Sequence, residues 1–336
     1  MHLNKTKNKK TIGIIYEIEG NPYFGDSNIE YSNKISEYVY PSEIDDICKA
    51  LNSLNYSYEI IDGPKGLLSE IQNNKKCDLY FNKSIGFKGL ERKIGVPAIA
   101  MLYNLPFIGS NAYTMTLCRH KFHTNRLLNG MGFKVPFAYY VTDLKEIPVI
   151  ESYPVIVKPN EESDSLGISE NSICSSINEL NYNVSELLET FNQPVIIEEY
   201  IPGEEWKIAV IGNGTDVQAY GGVNSMKNGN SMHGTLQTRD DVLNNNLSYT
   251  TIQYSQLFSE ALKTAENIHN LFGLIDYSRC DFRLKGDEIY CMEVSTHPYI
   301  KNSIHSSFIL SAQQKLHSYD NIICQIINSA CKRYGI

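Results

Sequence analysis

No apolar run in this 336-residue chain approaches the roughly 20 residues needed to cross a bilayer, which excludes a membrane-spanning helix. A secretory signal is missing too. The opening MHLNKTKNKK is basic, but it leads straight into the strand-like Thr11 to Tyr16, too short and too polar for a signal-peptide core, so a cytoplasmic protein without membrane contact is expected. Tight Cys-x-x-Cys pairs are absent. The eight cysteines lie scattered at 48, 77, 118, 174, 280, 291, 324 and 331, several inside apolar segments, which favours buried thiols over disulfides or a zinc framework. An excess of positive charge is absent as well: 30 Lys and Arg against 38 Asp and Glu give a net charge of -8. With no basic stripe and interleaved aromatics, this argues against nucleic acid as a partner. Internal repeats and heptads are also lacking.

What is present is a globular composition, 42% hydrophobic and 20% charged, in a chain long enough for two or three packed subdomains. The first third alternates strands and helices: strand 12–16, helix 41–54, strand 57–61 and strand 78–82. That alternation predicts a parallel sheet with crossover helices. Residues 20–40, rich in turn formers and tyrosine without periodicity, read as a long loop. A helix over 91–102 precedes the short strand-like Leu105 to Ser110, and a further helix starting near Thr114 carries Arg119, Lys121 and Arg126. Farther on, 154–159 and 193–200 read as β-branched strands separated by the polar loop 160–169. Segment 207–212 reads as a strand, 224–246 as a polar loop, 254–271 as an amphipathic helix, and 278–284 with 289–294 as adjacent strands.

The most informative stretch is RCDFRLKGDEIYCMEVS, residues 279–295. Two strands joined by a tight glycine turn hold Asp281 and Glu293 side by side on one face, because alternate residues of a strand point the same way. Paired carboxylates with phosphate oxygens make a hard-oxygen environment suited to magnesium. Taken alone, the same hairpin is equally well read as acids facing water.

Four segments occur in one order: FNKSIGFKGLERKIGVPAIAMLYNLPFIGSNAYTMTLCRHKFHTNRLLNGMGFKVP, PVIVKPNEESDSLGIS, VIIEEYIPGEEWKIAVIGN and RCDFRLKGDEIYCMEVSTHP. Together, over residues 78–305, they resemble the ATP-grasp superfamily and most closely its D-alanine-D-alanine ligase branch. The resemblance implies an α/β (α+β) ATP-grasp fold: an N-terminal Rossmann-like parallel-sheet domain (1–114), a central ATP-grasp subdomain (115–206) and a C-terminal one carrying the metal and acceptor site (207–336). It also implies ATP and magnesium, in one or two ions with manganese as an alternative, and a homodimer.

Residue by residue, the resemblance makes Lys121 and Lys158 the lysines on the ATP phosphates, a role that suits a flexible point charge with three donors. The loop 161–167 matches the family's mobile phosphate-covering loop, with Ser165 as its catalytic serine. Here Asp164 adds a carboxylate where phosphate is expected to lie. Glu198, Glu199, Tyr200 and Ile201 match the adenine-binding hinge, and Glu205 the acid on the ribose hydroxyls. Lys227 aligns as a further phosphate contact. Arg279 matches the arginine on the transferring phosphate, Asp281 and Glu293 match magnesium ligands, and Ser295 falls where the family has asparagine.

Departures from the pattern bear on substrate. The family's Pro-Gly after the metal strand is Pro298-Tyr299 here, its histidine- and glycine-rich loop is replaced by residues 82–87, and its early substrate glutamate has no clear counterpart near Glu17, Glu19 or Glu30. The expected function is therefore amide or peptide bond formation between a small carboxylate and an amine, both expected to be amino acids, through an acylphosphate, with a product other than D-alanyl-D-alanine. Two alternatives stand beside it: acyl transfer to a macromolecular acceptor such as a carrier protein, and a nucleotide-binding protein without turnover. Lys301, Ser303, His297 and His305 are candidates for holding a different carboxylate.

Overall fold

The computed structural model describes residues 9–18, 40–86 and 89–336. Most of the expected loop at 20–40 lies outside these residues, as do Glu19, Glu30 and Phe87.

The first sheet contains β1 (Thr11–Tyr16), β2 (Ser57–Asp62), β3 (Leu79–Asn82) and β4 (Phe107–Ile108), all parallel, in the order β2-β1-β3-β4. Parallel neighbours require crossovers, and α1 (Pro41–Ser53), α2 (Gly63–Gln72) and α3 (Gly95–Leu102) provide them. Strand alternation sends Ile12 and Ile14 toward α1 and Ile15 toward Leu67 and Val96. The expected helix at 91–102 begins as a 3-10 turn at Arg92–Ile94.

The helix expected from Thr114 onward is two helices, α4 (Ala112–Arg119) and α5 (Lys121–Gly130). His120 breaks them. Its backbone is extended, at φ -81° and ψ 93°, and its ring Nδ1 accepts from His123 N at 3.2 Å, so it ends one helix and caps the next.

The second sheet is antiparallel, with β5 (Ala138–Val141), β6 (Val155–Pro159), β7 (Ile173–Cys174) and β8 (Val195–Glu199) in the order β5-β8-β6-β7. It buries Val155, Val157, Val195 and Ile197 against Leu180 and Val184 of α6 (Ile177–Phe191).

The third sheet comprises β9 (Glu205–Gly212), β10 (Gln218–Lys227), β11 (Asn230–Ser231), β12 (Leu247–Thr251), β13 (Asp276–Lys285) and β14 (Glu288–Ser295). Its main path runs β11-β10-β9-β13-β14, with β12 paired to β10. The segment 224–246 is thus not simply a polar loop. It contains the end of β10, all of β11 and the short α7 (Arg239–Leu243). Asn224 and Ser225 are buried in paired backbone, so their polar side chains hid a strand that inter-strand hydrogen bonds define.

Helix α8 (Gln256–Leu271) covers one face of this sheet, while α9 (Ser307–Leu316) and α10 (Tyr319–Tyr334) cover the other. The isoleucines of α10, at 322, 323, 326 and 327, share a core with Ile12 and Phe81 of the first sheet and Ile211 and Tyr277 of the third. Each fully buried side chain of this kind contributes about 1.5 to 3 kcal/mol. The first and third sheets are therefore welded together, whereas the second keeps its own core. All eight cysteines are free thiols. Among the described residues no helix is long and apolar enough to cross a membrane.

Candidate active site

A cavity of about 620 Å³ is lined by residues from all three sheets and their loops. Its polar wall comes from the neighbouring strands β9, β13 and β14. Register places Asp281 between Lys207 on one side and Glu293 on the other, and Arg279 across from Ser295. The pairing of β13 with β14 shifts between Asp281 and Phe282. This bulge brings Met292 as well as Glu293 to the cavity while Cys291 and Val294 stay in the core, the re-aiming for which bulges are used.

Along this wall charges alternate. Arg279 grips Asp281 through two hydrogen bonds of 2.6 and 2.8 Å, and Lys207 reaches the same carboxylate at 3.1 Å. Lys207 also pairs with Glu205 at 2.8 Å, and Arg283 closes the series on Glu205 at 3.2 Å. Burial alone would raise both acids, but the flanking cations outweigh it. Asp281 is held below the usual carboxylate range, and Glu205 is lowered to about 2. The same pairs raise Lys207 and Arg279 against the opposing effect of burial.

Glu293 differs. It lines the cavity, and among the described residues it forms no ion pair or side-chain hydrogen bond. Two adjacent carboxylates and the Ser295 hydroxyl form a set of hard oxygen donors that fits magnesium sharing its shell with phosphate oxygens. Among the described residues there is no cluster of three or more His, Cys, Asp or Glu side chains to cage an ion, so such a cation would need further oxygens from its substrate.

The phosphate-loop candidate begins where β6 ends at Lys158 and Pro159. Lys158 is buried and pairs with Glu198 of the neighbouring β8 at 2.5 Å. Gly167 lies at φ +74°, and a Cβ there would come within 2.4 Å of the Pro159 ring, so the loop can fold back on its strand only with glycine at this position. Asp164 and Ser165 both adopt left-handed backbone, at φ 58° and 57°. Such conformations cost on the order of 1 kcal/mol each outside glycine and persist where surrounding contacts hold them. Those contacts come from the segment containing α7. Arg239 donates to the Asp164 carboxylate and, at 3.1 Å, to its carbonyl, while Gln237 Nε2 donates to Ser165 Oγ at 3.0 Å.

The extra acid at 164 thus faces an arginine that the sequence did not point to. Glu162, nearby, gathers Arg92 at 3.5 Å, Arg119 at 3.3 Å and Gln193 at 2.9 Å, and its carbonyl accepts from Lys121. Burial lowers the Lys121 ammonium, with Lys158 and Arg119 acting in the same sense, while Glu293 and Glu162 partly offset them.

Of the residues singled out by sequence, Lys158, Ser165, Tyr200, Ile201, Glu205, Arg279, Asp281, Glu293 and Ser295 line the one cavity. Glu198 lies behind it against Lys158, and Glu199 turns outward to Lys285. Lys121 is half-buried on Glu162, and Lys227 pairs with Glu170 and Asp241 at 2.5 and 2.8 Å. Of the four candidates for a different carboxylate, His297, Lys301, Ser303 and His305 all line the cavity, next to Tyr299. Sequence reasoning missed Lys207, Arg239 and Arg283, because their partners lie on other strands or loops. Only the alternation of Glu205 and Lys207 along β9 hinted at a shared face.

The whole architecture is that of the ATP-grasp D-alanine-D-alanine ligases. The chain superposes on D-alanine-D-alanine ligase from Bacillus anthracis complexed with ATP at a TM-score of 0.72 and 19% identity, covering 97% of this chain and 99% of that one. On VanG D-Ala:D-Ser ligase from Enterococcus faecalis it superposes at 0.70 and 18% identity, covering 96% and 99%. Residues 142–328 match the family described as D-ala D-ala ligase C-terminus, more than half of the chain, and the protein belongs to that family. In sequence it is 27% identical to the D-alanine-D-alanine ligase of Fusobacterium nucleatum, over 82% of this chain and 89% of that protein. It is 23% identical to an uncharacterised protein of Sinorhizobium fredii, over 86% and 88%. The match to the Thermotoga petrophila D-alanine-D-alanine ligase, at 29% identity, spans 48% of this chain and 51% of that one.

Proposed function

We propose that the protein is an ATP-dependent ligase that joins a small carboxylate to an amine through an acylphosphate, releasing ADP, and that its product is not D-alanyl-D-alanine. One observation carries the reading. The same cavity is lined by the strand wall of Arg279, Asp281, Glu293 and Ser295 and by Lys158 with the loop from Ser163 to Ser165. Phosphoryl transfer asks a protein chiefly for positioning and charge neutralisation, and this arrangement supplies both.

In this reading Lys158 and Lys121 hold the phosphates, and Arg279 balances charge on the phosphoryl group as it passes from ATP to the substrate carboxylate. Asp281, Glu293 and Ser295 would hold magnesium, whose chemistry is to neutralise the phosphate oxygens. Tyr200 and Ile201 bound the nucleotide base. Gly203 permits that hinge, since a Cβ there would lie 1.9 Å from the Leu284 carbonyl. The 161–167 loop excludes water, protecting the acylphosphate until the amine nitrogen attacks its carbonyl carbon and phosphate leaves. Steric bulk in the cavity stands against a D-alanyl-D-alanine product. Tyr299 stands in the cavity at the position of the glycine in the family's Pro-Gly pattern, with its ring edge-on to Tyr40 at 5.7 Å.

The test is ATP-dependent phosphate release with magnesium across a panel of carboxylates and amines, with Asp281→Ala as control. Stimulation by some pair other than D-alanine, lost in the variant, is the expected result. Stimulation by D-alanine alone overturns the substrate reading, and none by any pair overturns the ligase.

A further inference from the structure

The charges at the end of the cavity formed by α1 and the loop after β14 narrow the class of carboxylate, and this inference rests on the ligase reading. That loop is tied down on both sides of Lys301. Glu43 accepts from Ile300 N at 2.9 Å, and Asp46 accepts from Asn302 N at 3.2 Å. The Tyr299 carbonyl accepts from Ser306 Oγ at 2.8 Å. Lys301 is therefore held at the cavity by its backbone, while its half-buried ammonium forms no ion pair among the described residues.

The acids nearby are already matched. Glu43, almost fully buried, pairs with Lys83 at 2.9 Å. Glu17, at the end of β1, accepts from Ser84 Oγ, from Ile85 N at 3.0 Å and from Gly86 N at 3.1 Å. Elsewhere around the cavity Asp164 meets Arg239, Glu205 meets Lys207, Asp241 meets Lys227 and Asp281 meets Arg279. Glu293 is the exception and belongs to the metal hairpin. An ammonium entering beside α1 would thus find no unmatched carboxylate there among the described residues, and it would stand near Lys301. A second anionic group would find Lys301, with the Ser303 hydroxyl also on the lining.

We infer that the carboxylate activated by this enzyme belongs to an acid that carries a second anionic group and no ammonium, of the dicarboxylate class, with Lys301 binding the group that does not react. Recognition then differs in sign from that of a free amino acid. The second carboxylate positions the substrate, and the first takes the phosphoryl group from ATP, releasing ADP.

Hydroxylamine in place of the unknown amine tests this without knowledge of the acceptor. It attacks the acylphosphate carbonyl, phosphate leaves, and the hydroxamate is measured. With the full chain, ATP and magnesium, hydroxamate is expected from succinate or glutarate and not from glycine, D-alanine or L-alanine. Lys301→Met should raise the diacid KM about ten-fold or more with kcat little changed, as loss of a charged hydrogen bond predicts, and Lys301→Arg should restore it. Hydroxamate from the free amino acids but not the diacids overturns the inference and leaves the ligase standing. Hydroxamate from no acid overturns both. An unchanged KM in Lys301→Met overturns the role of Lys301.

Discussion

Glu293 stands directly across the β13–β14 pair from Asp281, yet the two carboxylates have opposite surroundings. Asp281 is buried between Arg279 and Lys207, whereas Glu293 meets the cavity with no ion-pair partner among the described residues. One serves the fold and the site together. The other faces the cavity alone.

That difference separates two substitutions. Asp281→Asn leaves two buried cations short of their shared anion and should lower unfolding free energy by about 3 kcal/mol as well as abolishing turnover. Glu293→Gln should lower kcat about 100-fold or more while shifting the urea midpoint little. Denaturation curves beside phosphate release would separate them, and an equal stability loss in both would contradict the assignment.

The pair between Arg239 and Asp164 holds an acid in the loop expected to cover phosphate. Removing the arginine leaves that acid repelling the nucleotide, so Arg239→Met should raise the KM for ATP about ten-fold. Asp164→Asn in the same chain should recover most of that loss, a coupling that a double-mutant cycle measures. Additive effects would mean that the pair does not act on the nucleotide.

Lys121 supplies a pH dependence. Burial, with Lys158 and Arg119 beside it, lowers its affinity for a proton, and the protonated ammonium is the form that attracts phosphate. The kcat/KM for ATP should therefore decline on the alkaline side below the pH at which an ordinary lysine titrates, as the charge is lost through the folded-state value. In Lys121→Met that limb should vanish along with most of the activity.

Glu205 supplies a stability dependence of definite sign. Its carboxyl falls from the ordinary 4.5 to about 2 in the folded protein because Lys207 and Arg283 outweigh burial. The stabilisation is complete above pH 4.5 and is lost as pH falls toward 2. Glu205→Gln should be less stable than the parent at pH 7, and the gap should shrink with acidification in urea titrations.

Several elements could be read from the residues alone. The Thr11–Tyr16 strand, α1, α8 and the β13–β14 hairpin each carry a local signal, whether β-branched runs, a 3.6-residue apolar period or a glycine turn. The hairpin was legible to its register, because adjacent strands joined by a tight turn leave little freedom, and Asp281 does oppose Glu293. Segment 224–246 was not legible, since Asn224 and Ser225 are polar residues inside a sheet. Nor was the break at His120, where a ring nitrogen caps a helix in a run of helix-compatible residues.

By itself the sequence determined the family pattern, the order of the candidate phosphate, hinge and metal segments, and the pairing of Asp281 with Glu293, because all of these depend on residues close in the chain or joined by one short turn. Tertiary structure decided which charges neutralise which. Lys207 reaches Asp281 across 74 residues and Arg239 reaches Asp164 across 75, and Glu43 ties down the loop carrying Lys301 from 257 residues away. Ion pairing depends on separation in space and on burial. Neither is written in the spacing of residues along the chain, so the lack of an ion-pair partner for Lys301 among the described residues became visible only in the folded molecule.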